Sequence, residues 1–227
     1  MDKLLTVVIP SYNVEKFLNQ TLDSFVCDEA VMKKFEVIVV DDGSKDNTAK
    51  VGKEYADKYP DTFRVISKEN GGHGSTINCG IRNAVGKYFK VVDGDDWVNT
   101  ADFVKLVEDL EKTESEYVFT NYNEYYDDVN RQKAVDFPQF KDGTEYDFAD
   151  VANKVYIPMH ALVIKTSVLK DNNIVIDEKC FYVDVEYVMF PVPFVNKVTF
   201  FDLHVYMYRL ALSTQSVSIL GFQKHIN

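Results

Sequence analysis

The sequence predicts an α/β fold with a mostly parallel central sheet flanked by helices. Four short runs rich in β-branched residues occur between Leu4 and Val92. The strongest of these are continuously apolar rather than alternating, as strands covered on both faces are. Helical patterns separate them, and strand, helix, strand in repetition implies parallel βαβ units with right-handed crossovers.

The strands are "LLTVVI" (Leu4 to Ile9), "FEVIVV" (Phe35 to Val40), "FRVIS" (Phe63 to Ser67) and "YFKVV" (Tyr88 to Val92). The first helix is expected over Glu15 to Val26, where Phe17, Leu18, Leu22, Phe25 and Val26 share one side. The second runs from Asn47 to Tyr59, with Asp46 as N-cap and Pro60 closing its far end. Ser75 to Val85 and Asp102 to Lys112 give two more, and Glu116 to Tyr126 reads as another strand. The polar stretch Asp127 to Phe148 reads as a loop or hairpin excursion. The second half then mixes strands at Ala161 to Lys165 and Val198 to Leu210 with a helix after Phe181. With no internal repeat or clear linker, a single domain over 1–227 is expected.

At 227 residues and 46% hydrophobic content, the chain can fill a proper core. A formal net charge of −11 argues against nucleic acid as a partner, since nucleic-acid binders present a basic face. Cys27, Cys79 and Cys180 have no CxxC spacing, so three reduced thiols in a cytosolic protein are expected. "MDKLLTVVIP" has no basic leader segment and no apolar run reaches membrane-span length, so neither an export signal nor a transmembrane segment is expected; contact with a membrane surface stays open. The sequence stops at "SILGFQKHIN" without an obvious closing element, which raises the expectation that the protein is truncated there.

In an open parallel sheet, ligands collect at the carboxyl ends of the strands. Three polar clusters fall there: "PSYN" (Pro10 to Asn13), "DDGSKDNT" (Asp41 to Thr48) and "DGDDW" (Asp93 to Trp97). A turn has no need of three mutually repelling aspartates. Hard oxygen ligands at this spacing suit Mg²⁺ or Mn²⁺ holding substrate phosphates. An EF-hand is excluded because its sixth position, counted from Asp93, is Val98 rather than Gly. "ENGGHGSTIN" lacks the GK[ST] of a P-loop, and Ile77 stands where a dinucleotide fingerprint needs its last Gly.

Together "TVVIPSYNVEKFLNQTLDSF", "FEVIVVDDGSKDNT", "NGGHGSTINCGIRNAVGKYFKVVDGDDW" and "FYVDVEYVMFP" resemble a family 2 glycosyltransferase of the GT-A fold, from Leu4 to about Ser218. The resemblance implies a Rossmann-like sheet with a smaller mixed acceptor-side region. Residues 1–120 would form the nucleotide-sugar-binding half and 121–227 the acceptor-side half. It implies a metal-dependent inverting transferase that moves a sugar from a UDP-sugar donor to a hydroxyl of a saccharide or glycoconjugate. Pro10, Ser11 and Tyr12 would line base and ribose, and Asp41 or Asp42 would accept the uracil N3 hydrogen. Asp95 and Asp96 would hold Mn²⁺ or Mg²⁺, with Asp93 on the ribose or a metal-bound water. His73 would replace a basic phosphate contact, with Asn78 in support. Asp184 aligns with the family's base, Glu186 being the fallback. Trp97 and His160 are candidates for acceptor or sugar contact. The family also implies polysaccharide or glycoconjugate synthesis in the cytoplasm, at or near the inner face of the membrane. A sugar-nucleotide-binding module without turnover, and a nucleotidyltransferase, are the competing readings.

Overall fold

The computed structural model describes residues 3–211. In chain order the elements are β1 (Leu5–Ser11), α1 (Glu15–Asp23), a one-turn α2 (Glu29–Met32), β2 (Phe35–Asp41), α3 (Thr48–Lys58), β3 (Phe63–Ser67), α4 (His73–Asn83) and β4 (Tyr88–Val91). After them come β5 (Trp97–Val98), α5 (Thr100–Asp109), β6 (Tyr117–Tyr126), β7 (Arg131–Val135), β8 (Thr144–Asp147) and α6 (Phe148–Val151). The described part ends with β9 (Leu162–Lys165), α7 (Thr166–Asp171), α8 (Val183–Met189) and β10 (Lys197–Leu210).

All ten strands form one sheet in the order β3-β2-β1-β4-β9-β6-β10-β5, with β7 paired to β6 and β8 to β10. β3, β2, β1 and β4 are mutually parallel; β9 runs against both β4 and β6, and β10 runs with β6. Six strands therefore point one way, and their carboxyl ends share an edge. The polar stretch after β6 is organised: Arg131–Val135 and Thr144–Asp147 add β7 and β8. Trp97 sits in the two-residue β5, opposite Met207.

The continuous apolar runs are explained by burial on both faces. Val7 and Ile9 of β1 pack with Leu18, Leu22 and Phe25 of the α1 region and with Phe103 of α5, whereas Val8 faces Ile77 and Ile81 of α4. Phe25 and Phe35 both meet the Phe103 ring edge-on at 5.0 Å. Gly80 lets α4 lie directly on the sheet, since a Cβ there would come 2.4 Å from Val8 Cγ2.

Candidate active site

The loops after β1 and β2 are laced together. Asn13, in the left-handed region at φ 54°, donates its backbone N–H to Ser44 Oγ at 3.0 Å and accepts from Lys45 N at 2.8 Å. Val14 N donates to Thr48 Oγ1 and Glu15 N to Asp46 Oδ2, while Asp46 Oδ1 accepts from Thr48 N. Asp46 thus caps α3 from just outside the helix and braces α1 as well. Pro10 and Ser11 are buried by this arrangement, and Tyr12 is 48% exposed on the edge.

The two adjacent aspartates have different jobs. Asp42 Oδ1 accepts from Lys68 Nζ at 2.7 Å and Gly71 N at 3.0 Å, and Oδ2 from Gly72 N at 2.8 Å. Its carboxylate is consumed in pinning the glycine loop, where Gly72 has φ 84°. The Asp41 carboxylate accepts only from Ser44 N among the described residues, through Oδ1, which leaves Oδ2 for another donor.

At the end of β4 the chain turns through Asp93–Asp96. Asp96 departs from the expectation of an ion ligand. It is 1% exposed, and its oxygens accept from Tyr206 Oη at 2.6 Å and Arg209 N at 2.7 Å. Burial, then Asp95 and Asp93, push its pKa well above the usual carboxylate range. Asp96 anchors the turn to β10. Arg209 reinforces this: its Nε donates to the Asp95 carbonyl at 2.8 Å, and its guanidinium pairs with Asp127 and lies 4.6 Å over the Trp97 ring. Trp97 also meets Tyr125 edge-on at 5.2 Å, so its position is a packing one. Nothing in the sequence marked Arg209 or Lys68, because each acts on residues far away along the chain.

Asp93 and Asp95 remain half-buried. Asp93 Oδ1 lies 2.8 Å from His73 Nε2, at the first turn of α4. Burial depresses the His73 pKa, but Asp93, with Asp184 and Asp95 behind it, outweighs this and the net shift is upward. All three carboxylates therefore share one neighbourhood. Among the described residues no cluster of three or more His, Cys, Asp or Glu side chains is arranged as a metal cage. Two partly exposed carboxylates fit an ion that completes its shell with substrate phosphates and water.

Asn78 is buried and turned to the chain itself. Its Nδ2 donates to the Ile176 carbonyl at 2.8 Å and its Oδ1 accepts from Ile176 N at 2.9 Å, so it clamps the loop leading to α8. Gly74 admits the same loop, since a Cβ there would lie 2.0 Å from the Asp177 carbonyl oxygen. Glu186 is occupied in this loop too, accepting from Asp177 N at 2.8 Å. Asp184 makes no hydrogen bond among the described residues and faces His73, Tyr156 and Tyr208 electrostatically. Tyr182, just before α8, has φ 61°, an uncommon conformation for a non-glycine residue and here adjacent to the helix carrying Asp184. His160 is flat on Tyr208 at 3.9 Å between ring centres, and burial brings its pKa down to about 4. An apolar cleft of about 500 Å³ runs past Phe148, Val151, Ile157, Val188 and Met189, and Tyr156 is among its lining residues.

Among the described residues no helix is long and apolar enough to cross a membrane. The chain is similar to several known proteins. Against the glycosyltransferase EpsJ of Bacillus subtilis, uncharacterized in function, it is 37% identical over 118 residues, which is 52% of this chain and 33% of EpsJ. The fold superposes on residues 1–349 of S. aureus TarS in complex with UDP-GlcNAc, with a TM-score of 0.77 at 23% identity, covering 92% of this chain and 59% of that one. It also matches the mannosyltransferase PcManGT of Pyrobaculum calidifontis in complex with GDP-Man and Mn²⁺, with a TM-score of 0.65 at 18% identity, covering 91% and 57%. The chain thus spans about a third of EpsJ and under two thirds of TarS 1–349, and its architecture is that of GT-A enzymes. The glycosyl transferase family 2 model matches residues 6–172, so the two laced loops, the glycine loop and the Asp93–Asp96 turn all fall within it, and the chain belongs to that family.

Proposed function

We propose that the protein is a metal-dependent inverting glycosyltransferase that moves a sugar from a UDP-sugar to a hydroxyl of a saccharide or glycoconjugate acceptor. The observation that carries this reading is the convergence of Asp93 and Asp95, at the carboxyl end of β4, with Asp184 on α8 around His73. One pair of carboxylates suits a phosphate-bound ion. The third, without a hydrogen-bond partner among the described residues, suits a base.

In this reading Tyr12 covers the uracil and Asp41 Oδ2 accepts its N3 hydrogen, a contact that cytidine, lacking the donor, does not offer. Pro10 and Ser11 shape the ribose end from beneath. Asp95 and Asp93 would hold Mn²⁺ or Mg²⁺, and His73 orients Asp93. Bound there, the ion offsets the diphosphate charge and stabilises UDP as it leaves. Asp184 takes the proton of the acceptor hydroxyl as its oxygen attacks the anomeric carbon opposite the breaking C–O bond, which inverts the configuration. Asp42, Asn78, Asp96 and Glu186 hold loops rather than substrate. Residues 1–120 supply the nucleotide side and 121–227 the acceptor side. The setting in this reading is the cytoplasm, at or near the inner face of the membrane, following the family's usual role in surface polysaccharide synthesis.

The test is UDP binding by titration calorimetry with and without Mn²⁺. Mn²⁺ is expected to tighten UDP binding, and Asp95→Ala to abolish that gain. Binding unaffected by either chelation or this variant would remove the metal role. Asp184→Asn should abolish transfer while leaving UDP affinity nearly intact, and full activity in that variant would move the base elsewhere. UDP-sugar hydrolysis without acceptor separates an enzyme from a binding module.

A further inference from the structure

We propose that the stacked rings of His160 and Tyr208 form the platform on which the hexose of the donor packs, with Tyr208 as a specificity-determining residue. The proposal rests on the UDP-sugar reading above and assigns a residue that the sequence motifs do not contain.

Tyr208 lies on β10, two residues after Tyr206, and side chains two apart on a strand share a face. Tyr206 is tied to the Asp93–Asp96 turn: it donates to Asp96 Oδ2, and its Oη accepts from Asp93 N at 3.2 Å. Tyr208 is therefore held beside the same turn, one strand step further toward the ligand edge. Its ring lies against His160 at 3.9 Å with 27° between planes, while Tyr206 meets the same imidazole edge-on at 4.9 Å and Tyr122 lies tilted to it at 5.6 Å. The backbone that carries the imidazole is held in turn, because Lys90 Nζ donates to the His160 carbonyl at 2.8 Å.

Both rings stay half-buried, and neither the Tyr208 hydroxyl nor the His160 ring nitrogens make a hydrogen bond among the described residues. Burial raises the Tyr208 phenol's pKa, and Asp96, Asp93, Asp95 and Asp184 add to it, so the hydroxyl lies within electrostatic reach of both ends of the interval between the proposed ion-binding pair and the proposed base. The transferred sugar must occupy that same interval. A hexose presents an apolar C–H face and a rim of hydroxyls; a fixed aromatic pair with an uncommitted phenol at its edge matches both. Trp97, the aromatic the sequence put forward for this task, is instead held between Arg209 and Tyr125.

The experiment compares the affinities of UDP-glucose, UDP-galactose, UDP-N-acetylglucosamine and UDP-N-acetylgalactosamine with that of UDP alone, all with Mn²⁺. The ratio of UDP-sugar Kd to UDP Kd cancels any general loosening of the nucleotide site. For the sugar that wild-type protein prefers, Tyr208→Leu and His160→Leu should each raise the ratio about fivefold to tenfold. Tyr208→Phe should restore it to within about twofold, but with reduced preference among the four sugars. A ratio unchanged in both leucine variants, with UDP binding intact, overturns the platform. Should the leucine variants fail to fold, saturation-transfer NMR on wild-type protein decides: irradiating aromatic protons should saturate the sugar C–H protons, and a signal confined to the uracil overturns the proposal. Failure of wild-type protein to bind UDP at all is a different result, which removes the donor reading and the platform with it.

Discussion

Replacing Lys90 by Met should change how stability depends on pH. Lys90 is wholly buried in β4; its ammonium donates to the carbonyls of His160 at 2.8 Å and Leu162 at 3.2 Å and lies 5.3 Å over the Tyr206 ring. Burial lowers its pKa from 10.5 to about 7. Between those values the unfolded chain binds the proton and the folded chain does not, so this group makes stability rise with pH across that window. The shift of 10.5 minus 7, about 3.5, corresponds to on the order of 5 kcal/mol over the full interval, or about 1.4 kcal/mol per pH unit. Below pH 7 both states carry the proton and the folded state bears the whole penalty. The Met variant leaves two carbonyls without their donor, a cost of about 1–3 kcal/mol that does not vary with pH. The slope is therefore the diagnostic. Urea unfolding at pH 7.5, 8.5 and 9.5 should give a wild-type stability that gains about 1.4 kcal/mol per unit over Lys90→Met. Parallel curves would show that the ammonium stays charged throughout and refute the reasoning. Because Lys90 also holds the backbone of His160, the same variant should weaken UDP-sugar binding more than UDP binding.

Two further substitutions test the loop anchors. Asn78→Ala removes two hydrogen bonds to Ile176 and should cost about 1–3 kcal/mol in thermal or urea unfolding; it should lower kcat through a displaced Asp184 while leaving the Kd for UDP within about threefold. Asp42→Asn removes the charge that faces Lys68 and the Gly71 and Gly72 amides, and should both lower Tm and weaken UDP binding, whereas Asp41→Asn should weaken UDP binding with Tm nearly unchanged.

Much of the fold was legible because its signals are local. Strand β3 falls on the Phe63 to Ser67 run, and α3 occupies Thr48–Lys58 within the expected Asn47 to Tyr59. Helix α1 stops at Asp23 rather than Val26, since Ser24, Phe25 and Val26 leave the helix while Phe25 still fills the core. The place of β9 between β4 and β6 was not legible: a four-residue strand carries no mark of its partners.

The same division applies to the candidate site. Residue types and strand ends alone determined that carboxylates gather where a diphosphate would lie, since a cluster of aspartates behind an apolar run is a sequence-local fact. Which carboxylate turns outward depended on donors brought from elsewhere in the chain. Tyr206 and Arg209 draw Asp96 inward, Lys68 and two glycine amides occupy Asp42, and Asp177 holds Glu186. Adjacent residues with identical side chains are chemically indistinguishable in the sequence; they become different only when the tertiary structure gives them different partners.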